Sequence, residues 1–177
     1  NKRCDTKFKK VSDQIFVVGK TFGHTSCSIY EREILRIETK QNPPKVDLAE
    51  ERKNSEFIRE LISLELLNSC HDVSDGGLMV SLYEMSTSEL GCSIDIATLK
   101  TENLDDNSIL FAEDQSRYVV SVDLSKIKEF LKIAEKSNIS LFKIGEVIAE
   151  EIQFNSQKMK VVDLQKISQS VFEKNFS

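Results

Sequence analysis

Fourteen residues near the middle of the chain hold much of its chemical potential: Ser69-Cys70-His71-Asp72-Val73-Ser74-Asp75-Gly76-Gly77-Leu78-Met79-Val80-Ser81-Leu82. They read as a short strand, an acidic polar turn, a diglycine and the start of an apolar helix. Gly76 and Gly77 permit positive φ and close backbone approach, and the first turn of the following helix offers unpaired N–H groups at the positive end of its dipole. That is the layout of an anion or metal-phosphate site. Asp72 and Asp75 would repel a bare phosphate, so a phosphate bound there should arrive with Mg²⁺, a hard cation that takes oxygen ligands; Asp72 is the candidate ligand. His71 has the chemistry of a general acid or base, and equally that of a histidine hydrogen-bonded at a strand end. The simpler reading of the whole stretch is that Asp72, Ser74 or Asp75 caps a helix from about Gly76 to Glu89.

A second segment, Leu110-Phe111-Ala112-Glu113-Asp114-Gln115-Ser116-Arg117-Tyr118-Val119-Val120, places two carboxylates, an amide and a guanidinium before a β-rich run. Gln115 can donate and accept, and Arg117 can hold a carboxylate or phosphate bidentately. Glu113 and Arg117, four apart, could instead pair with each other. No Ser-His-Asp or Cys-His nucleophile pattern is present. Cys70 and His71 are neighbours on an expected strand, where side chains face opposite ways.

The elements that must position these groups are partly legible. Ile15 to Gly19 reads as a buried strand, and Ile29 to Ile37 as either helix or strand. After the stop at Asn42-Pro43-Pro44, Asp47 and Glu50 form an acidic variant of the capping box, opening a helix to about Leu67 with Phe57, Leu61 and Leu64 on its inner face. The helix after the diglycine carries Leu78, Leu82 and Met85 inward, with Gly91 as its stop. Cys92 to Ile96 and Arg117 to Val122 read as strands, with a surface loop over Thr101 to Asn107 between them. A helix over about Ser125 to Ser137 buries Phe130. Strands over Leu141 to Val147 and Met159 to Val162 and a helix over Leu164 to Asn175 complete the chain. The expected class is α/β (α+β), a layered mixed sheet with packed helices. Leu61, Leu64, Leu82, Val120 and Phe130 are the expected core.

The 177 residues are the size of one domain, enough to bury roughly 70% of the unfolded surface. Residues 1–10 are polar and basic and read as a linker from an upstream region, leaving 11–177 as a single domain. With 40% hydrophobic and 30% charged residues the composition is that of an ordinary globular protein, and no apolar run approaches the ~20 residues of a membrane helix. A net charge of −5 argues against a nucleic-acid surface, which needs a basic face. The four cysteines form no C-x-x-C pair, so reduced thiols in a cytoplasmic protein are expected. A zinc site using Cys27 with His24, or Cys70 with His71, is the sharper alternative.

HDVSDGGL, from His71 to Leu78, followed by LFAEDQSRYVV, from Leu110 to Val120, resembles the final domain of the phosphoribosylformylglycinamidine synthases. The resemblance runs from roughly Phe8 to the C-terminus. Aminoimidazole ribonucleotide synthetase, selenophosphate synthetase, thiamine-phosphate kinase and the hydrogenase maturation factor have related glycine loops, and the second motif separates them from this group. One departure lies near the start: Phe22-Gly23-His24-Thr25-Ser26-Cys27 stands where the family usually has a Gly-Gly-Ser-Glu-like turn. The resemblance implies an aminoimidazole ribonucleotide synthetase-type C-terminal domain of a longer ATP-dependent ligase of purine synthesis. That enzyme converts formylglycinamide ribonucleotide, ATP and glutamine-derived ammonia to formylglycinamidine ribonucleotide, ADP and phosphate. It implies ATP/ADP and Mg as cofactors of the whole enzyme. As partners it implies preceding ATP-binding-type domains and a glutaminase subunit or domain. His71, Asp72, Ser74, Asp75, Gly76, Gly77, Glu113, Asp114, Gln115 and Arg117 are the implied nucleotide, phosphate or structural site. On this reading the two segments converge on one rim, and the isolated domain is inactive. The alternative is a non-catalytic binding or regulatory module of the same fold.

Overall fold

A computed structural model describes residues 2–37 and 42–176; Asn1, the first residue of the expected linker, lies outside them. A seven-stranded sheet runs through the molecule in the order β2-β4-β1-β5-β3-β6-β7. Its strands are β1 (Gln14–Val18), β2 (Ser69–Asp72), β3 (Leu90–Ile94), β4 (Tyr118–Val122), β5 (Leu141–Ala149), β6 (Glu151–Phe154) and β7 (Gln157–Lys160). The pairings are antiparallel apart from β3 with β6. The helices are α1 (Leu48–Ser63), α2 (Gly77–Met85), α3 (Asp106–Phe111), α4 (Ile127–Lys136) and α5 (Val161–Phe176), with a short π-type segment over Tyr30–Leu35.

Both faces of the sheet are covered, which is why β1 is apolar at nearly every position. Ile15 and Val17 join one core with Leu78, Leu82, Met85, Ile109 and Val119, beneath α2 and α3. Phe16 and Val18 point the other way, with Phe57, Leu61, Val120, Val122 and Phe130, beneath α1 and α4. This alternation is the period-2 geometry of a strand. The Phe16 and Phe130 rings, centroids 4.9 Å apart, lock α4 to the sheet. α1 begins as expected, the Asp47 carboxylate accepting from the Ala49 and Glu50 N–H groups.

Several expectations are corrected. Residues 5–8 of the expected linker are attached to the body: Asp5 bridges Ser69, Cys70 N–H donates to the Asp5 carbonyl at 2.9 Å, and Phe8 is buried in the core. Leu64 is 46% exposed; it is the C-cap of α1, which ends at Ser63, short of the expected Leu67. α2 stops at Met85, well before Glu89. Gly91 is therefore no helix stop; it lies in β3, where a Cβ would sit 2.0 Å from the Glu151 carbonyl oxygen. Residues 106–107, expected in a loop, open α3 behind the Asp105 cap. The last expected strand lies two residues earlier, over Gln157–Lys160, and Val161 already begins α5.

Candidate functional site

Two motifs far apart in sequence meet because β2 and β4 are hydrogen-bonded neighbours, Asp72 opposite Tyr118. The glycine loop leaves β2 and the Glu113–Arg117 segment enters β4 at the same end of the sheet. Gly77, with φ +70°, passes so close to the second segment that a Cβ would lie 2.7 Å from the Ala112 carbonyl oxygen. Only glycine fits without backbone movement.

The glycine loop is closed by Glu113. Its Oε1 accepts from the Gly76 N–H at 2.9 Å and from the Ile29 N–H at 2.8 Å. The N-cap of α2 is Gly76, at φ +78°, and no side chain of the Asp72–Asp75 turn caps the helix. The expected local cap is thus replaced by a carboxylate arriving from across the sheet, at the helix end where negative charge is favoured. A ligand phosphate approaching that amide would meet Glu113 already there.

Asp114 points to the opposite side of its segment. It is 1% exposed, and its carboxylate accepts from the Phe22, Gly23 and His24 N–H groups at 2.8, 3.0 and 3.2 Å. His24 Nδ1 adds a fourth contact at 2.7 Å. Arg117 is also 1% exposed. Its guanidinium donates to the Ala112 carbonyl at 2.5 Å, the Asp114 carbonyl at 3.3 Å and Thr21 Oγ1 at 3.2 Å, with the Asp114 carboxylate 3.9 Å away. Burial holds its pKa below the ordinary guanidinium value, with the Asp114 charge opposing the shift in part. The alternative of a Glu113–Arg117 pair is accordingly not what forms, and Arg117 is spent on the loop's own carbonyls rather than held open for a ligand.

The remaining expected site residues divide by exposure. His71 is largely covered, Nδ1 2.6 Å from the Asp72 carbonyl oxygen and Nε2 3.3 Å from Glu84 Oε2, so it fastens α2 to the end of β2. Asp72, Ser74, Asp75 and Gln115 are exposed. Asp72 stands apart as an oxygen ligand: among the described residues no group of three or more His, Cys, Asp and Glu side chains could hold a metal ion. Asp72 would therefore need ligands from outside the described residues to hold Mg²⁺, and neither Cys27 nor Cys70 belongs to such a group.

Residues 22–35 wrap this rim. Glu113 N–H donates to the His24 carbonyl at 3.1 Å, and the Tyr30 ring stacks on Phe111 at 4.9 Å with 4° between planes. A cleft of about 660 Å³ opens between this turn, the start of α1 and residues 114–116. His24, Phe22 and Ser116 face it. In the sequence His24 reads only as a zinc ligand, because its partner Asp114 lies 90 residues away and leaves no local signal.

A three-layer α/β/α domain whose glycine loop and acidic segment close on each other defines a class. Residues 10–155 match the family described as AIR synthase related protein, C-terminal domain, and the chain belongs to that family. Among curated proteins it is 35% identical over 152 residues to the phosphoribosylformylglycinamidine synthase subunit PurL of Azorhizobium caulinodans. To the subunit PurL of Parvibaculum lavamentivorans it is 36% identical over 155 residues. These alignments cover 85% and 86% of this chain and 20% of each relative, so the chain spans about a fifth of their length. Thermotoga maritima PurL complexed with FGAR superposes with a TM-score of 0.71 at 21% identity, over 91% of this chain and 29% of that one. The hydrogenase maturation protein HypE of Escherichia coli gives 0.60 at 14%, over 89% and 51%. At these identities the shared property is the fold. No helix among the described residues is long and apolar enough to cross a membrane.

Proposed function

We propose that this chain is the C-terminal domain of a phosphoribosylformylglycinamidine synthase, forming one wall of a nucleotide-related site that other domains of the enzyme complete. The observation that carries the reading is the union of the two family motifs through the Glu113 carboxylate on the Gly76 amide, in a chain 35–36% identical to such synthases. The whole enzyme would convert formylglycinamide ribonucleotide, ATP and glutamine-derived ammonia to formylglycinamidine ribonucleotide, ADP and phosphate, in the cytoplasm. Solved relatives described as complexes with ATP, ADP and FGAR, and one described as PurLQS, support that setting. Preceding ATP-binding-type domains and a glutaminase are the partners it requires.

Within that enzyme the residues divide their work. Glu113, Asp114 and Arg117 are consumed in shaping the rim, whereas Asp72, Ser74, Asp75 and Gln115 present polar groups outward to whatever the neighbouring domains bring. Phosphoryl transfer needs substrates and positioning groups assembled together, and one wall does not assemble them. The domain's contribution is architectural. Incubated with formylglycinamide ribonucleotide, ATP and ammonium, the purified chain should give no conversion above buffer; turnover on the order of 1–10³ s⁻¹ would overturn the proposal. In the longer polypeptide, Asp72→Asn should lower thermal stability and release bound nucleotide. Lost turnover with stability and nucleotide retained would assign Asp72 to catalysis instead.

A further inference from the structure

The cleft beside the 22–24 turn is distinct from the glycine loop, because Glu113 and Asp114 point to opposite sides of one segment and only Asp114 serves the cleft. Its polar centre is a histidine–carboxylate dyad. The Asp114 carboxylate accepts only, so the neutral imidazole of His24 carries its hydrogen on Nδ1, 2.7 Å away, and leaves the Nε2 lone pair for a donor from outside. The His24 side chain is 53% exposed while Asp114 beneath it is sealed. A second group also lacks a partner: Ser116 Oγ is buried without a hydrogen bond, at a residue held at φ +63°. A buried hydroxyl in that state is a cost the fold carries.

Apolar side chains form part of the walls. The Phe22 ring is 59% exposed and lies 5.9 Å from the His24 ring, and Val46 and Leu48 face the same space, 54% and 77% exposed. The charges do not select an anion: Lys20 and Lys45 line the cleft, but so do Asp47, Glu50 and Asp114. Its volume falls within the range of small-molecule sites, about 300–1,000 Å³, which are mostly apolar with a few placed polar groups.

We propose that this cleft binds a planar heteroaromatic ring bearing an amino group, the ring lying against Phe22 and the amine donating to His24 Nε2. The ring face supplies stacking area, and the exposed Gln115 amide reads the rest of its edge. Asp114 acts as a positioning residue, fixing the tautomer that accepts. This binding concerns the cleft alone and does not depend on the proposed synthase role.

The test uses the 177-residue chain with adenosine as probe, followed by ¹H–¹⁵N spectra that report the backbone amides and the His24 imidazole. Saturable shifts confined to His24, Phe22 and Ser116, with a dissociation constant below about 1 mM, are expected. Purine riboside, which lacks the amine, should bind about five- to tenfold more weakly, the loss of one hydrogen bond. His24→Phe keeps an aromatic ring without Nε2 and should lose the preference for adenosine over purine riboside. If that variant fails to fold, the comparison of the two nucleosides on the unaltered chain still decides. No adenosine binding, equal binding of the two nucleosides, shifts centred on Gly76 and Gly77, or binding of inorganic phosphate in place of adenosine would each overturn the proposal.

Discussion

Glu113→Ala should destabilise the domain far more than its surface position in a loop would imply. Two backbone N–H groups, Gly76 at 2.9 Å and Ile29 at 2.8 Å, end on a single carboxylate oxygen. Hydrogen bonds to a charged group contribute about 1.5–3 kcal/mol each. Gly76 is buried and Ile29 half-buried, so water replaces the carboxylate only in part after truncation. A loss of about 2–4 kcal/mol follows, or a fall of roughly 4–16 °C in Tm for a chain this size. Glu113→Gln keeps an amide oxygen to accept and surrenders only the charge, so it should cost about 1 kcal/mol. Urea unfolding followed by circular dichroism reads both. The reasoning is refuted if Glu113→Ala moves the midpoint by no more than an ordinary surface change of about 0.5 kcal/mol, or if Gln is as damaging as Ala.

Other outcomes follow from the same geometry. Leu61→Ala and Leu82→Ala, each removing a fully buried side chain, should cost about 2–5 kcal/mol in urea unfolding, whereas Leu64→Ala should stay within about 0.5 kcal/mol of zero. Arg117→Met should leave Asp114 without its buried cation and the Ala112 carbonyl without its donor, at about 3–5 kcal/mol by the same assay. Gly77→Ala, forced to hold φ +70° against the Ala112 carbonyl, should lose at least about 1–3 kcal/mol, with the largest amide-exchange increases in residues 74–78 and 112–113. Burial pushes the Cys92 and Cys70 thiols up to about 12 from 9.0. Both stay protonated in the folded state where the unfolded chain ionises, so stability is intact below pH 9 and declines as pH rises toward 12. The slope per thiol approaches about 1.4 kcal/mol per pH unit, and Cys92→Ala should flatten the alkaline limb measured against pH 8.

The parts legible in sequence are those with local or periodic signals. β1, α1 with its Asp47 cap, β4 and the apolar face of α4 declare themselves through alternation, capping chemistry and helical spacing. β3 slipped by two residues because Gly91 reads as a stop, when its bareness serves the close passage of Glu151. The short α3 lies where Asp105, Asp106 and Asn107 look like loop, and its cap geometry rather than its composition makes it helical. At the site, the motif residues do gather at one end of the sheet, but their partners were illegible. The helix cap comes from Glu113, 37 residues beyond Gly76, and the dyad spans 90 residues from His24 to Asp114. Charge spacing at i and i+4 pointed to a Glu113–Arg117 pair; the backbone between them is not helical, and each side chain found carbonyl or amide partners instead.

The central claim is that this chain is a working C-terminal domain of a synthase, and a domain exchange tests it most directly. The matching C-terminal segment of the Azorhizobium caulinodans subunit would be replaced by this chain, and the purified chimera assayed for glutamine- or ammonia-dependent formation of formylglycinamidine ribonucleotide. The account predicts turnover within about tenfold of the unaltered enzyme, a difference of no more than ~1.4 kcal/mol in barrier. A chimera that folds, with native-like thermal unfolding, yet turns over no substrate would contradict it.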